Sequence, residues 1–397
     1  MRDARSARRG QTVVAFYDAD QNPNSEVRVM VTHAKLAGWL LLVALTIGMT
    51  WITAAWADKP VKPDKPSPEE PLPFSFVDLL GVPGANSLQS DGQSISQPDE
   101  TEAFYVAGLS RDADGWCSVI WDVAGDGIFA GPFDLGGPNL NGQAAVNDAG
   151  TVVTSSGHVF VRNKEPQELP ALGALDVNAR AINNNNQIVG WIVYEEGGIR
   201  VAEGALWTLD ENGKPGQPTT LGDFLPKDIS DTGVMAGEDE SIAMAAIARF
   251  QDGMWKVSSL GTLLGFDWSM ADAISSDGCW VAGTCRREGP WQAFLWSEET
   301  GMIDLGSLAG GDSHAYDVNN AGQVVGTCDT NEGRYSMTAV LWDNLQAVDL
   351  NALTDAGNKT HLNIAKGIND AGQIVGLMHT SRPVSESHGY LLIPNAQ

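Results

Sequence analysis

Four chemically different residues each follow an alanine in the same local context, at widely separated points of the chain. They are Arg180, Asp272, Tyr316 and Lys366. Two cations, a carboxylate and a phenol suit charge-assisted hydrogen bonds to a polar ligand. Trp268 and His314, in the loops before two of these residues, add aromatic rings. These six are the candidate binding residues, and the alternative is that their side chains are simply solvated.

The chain carries no recognisable catalytic or metal-binding motif. It lacks a G-x-S-x-G nucleophile elbow, an H-E-x-x-H helix and a phosphate-binding glycine loop. Its six histidines are scattered, and no C-x-x-C pair is present to bind zinc. We therefore predict no catalytic residue, no metal and no cofactor. Paired carboxylates for glycoside chemistry could come from distant repeats and leave no local signature, so a glycan-cleaving hydrolase or lyase stays an alternative.

The candidate residues precede a turn that recurs along the chain. One copy reads NNAGQVVG at residues 319–326, and five others begin at residues 147, 183, 230, 275 and 369. A degenerate seventh copy starts with SDGQ at residues 90–93 and is completed, after an insertion, by YVAG at residues 105–108. The last glycine of the turn element recurs every 43 to 50 residues, at Gly190, Gly237, Gly283, Gly326 and Gly376. A period of this length indicates stacked or radially arranged units.

Each unit has the local chemistry of short strands and tight turns. Runs such as QVVGT and TAVLW are β-branched or aromatic and are bounded by Asn and Gly. In N-x-x-G the Asn can bond its own backbone and the Gly can take positive φ, so turn geometry explains both residues before any ligand is invoked. Tryptophans close the third strand of four units, and we expect them to fill the space between adjacent sheets: Trp121, Trp207, Trp296 and Trp342.

About 45 residues of turn-punctuated strands suffice for a four-stranded sheet, and seven such sheets around an axis form a β-propeller. The first folded piece, SFVDLLG at residues 75–81, resembles the DLG element that follows the third strand of a unit, whereas the chain ends just before that element. The sequence therefore predicts an all-β, seven-bladed propeller closed by its N-terminal strand. An open β-repeat solenoid is the alternative fold. The first strand of each blade would line the axial channel, and the six candidate residues would form a polar and aromatic ring at its mouth.

The N-terminal region predicts export. Residues 1–57 form an extension that ends in an apolar run, residues 36–55, with small residues at Ala55 and Ala57. This pattern is typical of a signal peptide cleaved after Ala57, and an uncleaved membrane anchor is the alternative. Translation from Met30 would leave a more compact signal. Residues 58–73 read as a Pro-rich linker and residues 74–397 as the propeller, so we expect a secreted or cell-envelope protein.

Composition restricts the partners. With 24 basic and 50 acidic residues the formal net charge is −26, which disfavours nucleic acid and contact of the folded domain with anionic membranes. The four cysteines allow three complete pairings. Cys279 and Cys285 lie too far apart along one strand to bridge, and Cys285 and Cys328 occupy equivalent positions in neighbouring units, which also separates them too widely.

Residues 293–326, AFLWSEETGMIDLGSLAGGDSHAYDVNNAGQVVG, resemble the repeat of the extracellular HAF repeat family. The His-Ala-Phe tripeptide that names the family appears here as Gln292-Ala293-Phe294, without its histidine. The resemblance covers residues 74–394 and implies an exported bacterial repeat protein, but it brings no catalytic residues. We therefore expect a binding or scaffolding module for an extracellular glycan or protein, with a structural envelope protein as a further alternative.

Overall fold

The structure is a computed structural model that describes residues 73–81, 89–111, 115–125, 129–135, 143–289, 291–330, 337–381 and 386–395. The predicted N-terminal segment, residues 1–57, and the linker up to residue 72 lie outside the described residues. Within the described ranges no helix is long and apolar enough to span a bilayer.

The described chain forms seven four-stranded antiparallel sheets, and each sheet is one blade. Blade 1 contains β2 (Ser90–Ile95), β3 (Phe104–Arg111), β4 (Trp116–Val123) and β5 (Phe129–Asp134). Blade 2 contains β6 (Ala144–Val146), β7 (Val152–Thr154), β8 (His158–Phe160) and β9 (Gln167–Glu168). Blade 3 contains β10 (Asp176–Ile182), β11 (Gln187–Glu196), β12 (Ile199–Thr208) and β13 (Thr219–Thr220).

The remaining blades repeat this order. Blade 4 contains β14 (Phe224–Ile229), β15 (Met235–Asp239), β16 (Met244–Gln251) and β17 (Met254–Gly261). Blade 5 contains β18 (Trp268–Ile274), β19 (Trp280–Arg286), β20 (Trp291–Ser297) and β21 (Gly301–Asp304). Blade 6 contains β22 (Ser313–Val318), β23 (Val324–Asp329), β24 (Met337–Asp343) and β25 (Gln346–Asp349), followed by a 3-10 turn, Leu350–Ala352. Blade 7 contains β26 (Thr360–Ile368), β27 (Ile374–Thr380), β28 (Glu386–Pro394) and β1 (Phe74–Leu79).

The N-terminal strand closes the ring, as predicted. Strand β1 pairs antiparallel with β28, from Phe74 opposite Pro394 to Leu79 opposite Gly389. Blade 7 also packs against β2 of blade 1, so the first and last blades are neighbours. The open solenoid is therefore wrong, and closure removes the sheet edges that an open array would leave unpaired.

The core lies between successive blades, and three of the four predicted tryptophans fill it. Trp121, Trp207 and Trp342 are fully buried. Trp296 is only partly buried, because the ring of Phe294 already occupies the space over the second-strand glycine of blade 5. Trp296 therefore packs against the core cluster of that blade as a partly buried residue.

The predicted turns have the expected backbone. The glycine of the N-x-x-G pattern has positive φ, for example +74° at Gly322. In the same turn Asn319 accepts hydrogen bonds from the amides of Ala321 and Gln323. Blade 1 departs from the prediction, because SDGQ at residues 90–93 begins its first strand rather than forming its turn. The connection to β3 in that blade is the longer segment at residues 96–103.

Cys279, Cys285 and Cys328 are free thiols. Cys285 and Cys328 are buried in equivalent second strands and do not pair, as predicted. Cys279 lies just before β19 and is exposed.

Candidate functional site

The first strands of the blades surround a channel and carry a recurring β-bulge. The register against the second strand shifts by one residue in blades 1, 3, 4, 5, 6 and 7, and blade 7 has a second shift between Leu362 and Ile364. A bulge leaves one residue without a partner in the ladder and re-aims its side chain. The bulge residues line one cavity of about 350 Å³ at the centre of the ring, and they are Gln93, Arg180, Lys227, Asp272, Tyr316 and Lys366.

The second-strand glycines explain how the bulge is accommodated. A Cβ at Gly326 would lie 1.9 Å from the carbonyl oxygen of His314 on the first strand of the same blade. The other predicted repeat glycines meet the corresponding carbonyl at 1.9 to 2.1 Å, namely Gly190, Gly237, Gly283 and Gly376. Only glycine permits this approach of the two backbones. These glycines are therefore part of the framework that presents the channel side chains.

The structure separates the six predicted binding residues into two groups. Four of them lie in the cavity wall: Arg180, Asp272, Tyr316 and Lys366. Trp268 and His314 do not line the cavity but lie nearer the entry face, the face at which the first strands begin. Sequence reasoning missed Lys227 because proline precedes it, where blades 3, 5, 6 and 7 have alanine. Lys227 lies three residues before the turn residue Ser230, and Gln93 lies three residues before Ser96. This constant spacing is the signal that would have revealed Lys227.

Two of the three cations in the cavity wall form ion pairs. Lys227 Nζ lies 3.1 Å from Asp272 Oδ1, and Lys366 Nζ lies 2.5 Å from Asp91 Oδ2. Arg180 makes no ion pair with any residue that the structure describes. Its guanidinium carbon lies 5.4 Å from the centre of the Trp191 ring, within range of a cation–π contact. Burial lowers the pKa of Arg180 from its usual value, although an arginine in such a setting keeps its charge.

A second set of acids, which the sequence analysis did not single out, lies one residue further along two strands. Asp228 accepts backbone hydrogen bonds of 2.8 Å from Ile229 and, across the blade interface, from Ile274. Asp317 bonds Val318 and Ile368 in the same way. Each carboxylate therefore joins its own blade to the next.

Burial dominates the titration of these two acids. It raises the pKa of Asp228 to about 6 and that of Asp317 to about 8, while the two backbone hydrogen bonds to each carboxylate oppose the rise. The nearby charge of Asp228 adds to the increase at Asp317. Both side chains nevertheless keep some surface in the channel, so protons can reach them.

Aromatic rings form a row from the cavity toward the entry face. The Tyr316 ring stacks on His314 at 6.2 Å, and His314 contacts Trp291 at 5.2 Å between centroids. Trp291 in turn meets Trp268 edge-on at 5.6 Å. The Trp268 indole N–H donates to Glu238 Oε1 at 2.8 Å, which fixes the outer end of the row. Burial lowers the pKa of His314 and raises that of Tyr316 to about 12, so both rings are neutral at pH 7.

At the opposite, exit face a ring of hydrogen bonds crosses all seven blade interfaces. At each interface a backbone N–H of one blade donates to an oxygen of the next at 2.8 to 2.9 Å. The donors, in blade order, belong to Gln97, Asp148, Asn184, Asp231, Asp277, Asn320 and Asp370. This exit ring holds the blades together, and some of its residues line a second cavity of about 140 Å³ at this face.

The described residues contain no group of three or more His, Cys, Asp or Glu side chains placed to hold a metal ion. A cavity of about 350 Å³ is large enough for a small ligand or one unit of a polymer. Its wall mixes cations, amides, a phenol and carboxylates, which are groups that recognise a polar ligand by directional hydrogen bonds.

No protein-family model and no curated protein sequence matches this chain. Among solved structures it is similar to acylaminoacyl peptidase from Pyrococcus horikoshii, at 10% identity, a TM-score of 0.46, and coverage of 76% of this chain and 51% of that chain. It is also similar to the β-propeller domain of the Trilobed protease from Pyrococcus furiosus, at 12% identity, a TM-score of 0.44, and coverage of 76% and 93%. For TolB from Acinetobacter baumannii the values are 14%, 0.32, 78% and 56%. The chain spans about half the length of the Pyrococcus horikoshii peptidase, and none of these likenesses informs its function.

Proposed function

We propose that this protein is an exported module of the HAF repeat type that binds an extracellular glycan or protein through the entry face of its channel. The observation that supports this proposal most directly is the β-bulge in the first strands. Six blades share one backbone device, yet it presents six side chains of which only the two lysines are alike. A device with a purely structural role would need no such variety, whereas a binding wall requires groups of different chemistry at defined places.

The aromatic row supports the same proposal. It leads from the cavity to the entry face and offers partly exposed ring surface along the way. Flat rings beside hydrogen-bonding groups suit sugar rings and aromatic side chains equally. The acidic composition fits an extracellular setting, in which charge keeps the protein soluble.

The glycan-cleaving alternative would need acids or bases free to exchange protons with a substrate. Asp228 and Asp317 have raised pKa values, but both oxygens of each carboxylate already accept backbone amides. Tyr316, with a pKa raised to about 12, is a poor base at neutral pH. The geometry therefore favours binding over cleavage.

An array of polysaccharides and extracellular proteins tests the proposal directly, with bound protein and released reducing ends as the two readouts. We expect binding without release. The double variant Arg180→Ala/Tyr316→Ala should lose binding, whereas Arg200→Ala, at an exposed position on β12, should not. Release of reducing ends by the unaltered protein would replace the binding module by the hydrolase or lyase. If the protein binds and cleaves nothing on the array and associates with itself, the result would favour a structural envelope protein.

A further inference from the structure

Arg180 differs from the other cations of the cavity wall in forming no ion pair with a carboxylate of the described residues, although the charge of Asp272 acts on it at longer range. Its Nε is buried and has no hydrogen-bond acceptor there. The side chain lines the cavity, so an anionic ligand in the cavity can pair with the guanidinium. The centre of the Trp191 ring lies 5.4 Å from the guanidinium carbon and packs beside it.

Small side chains lie next to this guanidinium in ring order. Blade 2, whose first strand β6 is only three residues long, has Ala144 three residues before its turn, where six other blades have a bulge residue. Blade 2 contributes Gln143, Ala144 and Ala145 to the cavity wall, between Gln93 of blade 1 and Arg180 of blade 3.

Neutral polar groups line the same cavity. Gln143, just before β6 of blade 2, stands next to blade 3 in ring order, and Tyr316 belongs to blade 6. Amide and phenol groups both donate and accept hydrogen bonds. A ligand that fits this wall carries an anionic group together with several hydroxyls.

We propose that the channel holds a carboxylate-bearing sugar unit of an acidic glycan, with the carboxylate on Arg180 and the sugar hydroxyls on the polar side chains of the cavity wall. This inference rests on the proposed binding function and names its ligand class. The aromatic row toward the entry face then contacts the sugar units that follow. An acidic peptide would satisfy Arg180 but would bring few hydroxyls to the amide and phenol groups of the wall.

The acidity of the chain makes the inference specific. At a net charge of −26 the protein repels anions at long range, so an acidic glycan is held only by a local, partly desolvated cation. Added salt should therefore leave its affinity unchanged or raise it, because salt screens the repulsion more than the buried contact. A basic-patch binder would show the opposite dependence.

The test measures binding of the full chain by calorimetry to an oligogalacturonate, to its methyl ester and to a neutral oligosaccharide of equal length. We expect the acid to bind roughly 10- to 100-fold more tightly than the ester, the usual range for a hydrogen bond to a charged group. Arg180→Gln should remove this preference and keep weak binding of the ester. Arg200→Gln, at the exposed position, should retain it.

Equal affinity for acid and ester would overturn the inference and leave glycan binding itself intact. Binding of an oligoglutamate peptide in place of all three sugars would overturn it in favour of a peptide ligand. Absence of any glycan, peptide or protein ligand would remove the proposed function as well. The comparison of acid with ester needs only the unaltered protein, so a folding defect in Arg180→Gln leaves the test valid.

Discussion

Leu79 offers the sharpest test of how the ring is closed. It is the last residue of β1, it is fully buried, and it pairs with Gly389 within β28. Its side chain belongs to the hydrophobic cluster between blades 7 and 1, which includes Trp121 and Val375. The following residue, Leu80, is 42% exposed. Two adjacent leucines therefore differ in burial and in little else.

Replacement of Leu79 by alanine should cost about 2–5 kcal/mol of unfolding free energy, the range for buried leucines whose cavity does not collapse. Since one kcal/mol moves the melting temperature of a large domain by about 2 °C, we expect a decrease of roughly 4–10 °C. Leu80→Ala should change the unfolding free energy by less than about 0.5 kcal/mol, as most exposed positions do.

Thermal unfolding followed by circular dichroism and by calorimetry, at one scan rate for all variants, measures the difference. If Leu79→Ala and Leu80→Ala melt together at the temperature of the unaltered protein, β1 does not seal the ring. A variant whose chain begins after β1 gives a second measurement. It should expose the edge of β28 and associate with other copies, because an unpaired strand edge is a template for pairing.

Three further predictions concern charge and backbone. His388 has its pKa raised, chiefly by its hydrogen bond with Asp78, so its stabilisation is complete below about pH 6.5 and is lost as pH rises through the raised value; Asp78→Asn should flatten that loss in denaturant titrations. Asp317 keeps a proton up to about pH 8 in the folded state, so its contribution to the free energy of unfolding falls as the pH rises from about 4 to about 8. Asp317→Ala should therefore be less stable than the unaltered protein at pH 5, and this difference should shrink by a few kcal/mol by pH 9. Curves of unfolding free energy against pH that run parallel for the two proteins would refute this. Gly326→Ala should cost about 1–3 kcal/mol or more, because its Cβ would meet the His314 carbonyl at 1.9 Å; Gly216→Ala, where the nearest atom is 3.4 Å away, is the control, and equal melting temperatures would contradict the reasoning.

The architecture could be predicted because each blade repeats the same local signals. Turn residues, strand composition and the period of the glycines all indicate one supersecondary unit, and the incomplete ends of the array indicate how it closes. Blade 1 was misaligned since its turn is an insertion, residues 96–103, that lacks the N-x-x-G pattern. Local turn chemistry cannot predict a connection of different length.

The channel wall could be predicted only in part, because its defining feature is a register shift between strands. A bulge is one extra residue in a ladder, and neither composition nor periodicity reveals it. The comparison of repeats found Arg180 through the alanine before it, and missed Lys227 because a proline stands there. Asp228 and Asp317 were missed for another reason: their role is to accept an amide from the next blade, and that partner lies 46 or 51 residues away.

The contacts that hold the blades in place do not involve the side chains that vary in the cavity wall. The glycine opposite each bulge fixes the approach of two backbones, and the exit ring fixes each blade against the next. Neither contact involves the side chain of the bulge residue. A substitution at Arg180 or Tyr316 therefore changes the chemistry of the cavity without breaking a ladder or an interface bond. By the same argument, the side chain at this one position can differ between blades while the recurring glycines and the exit ring preserve the fold.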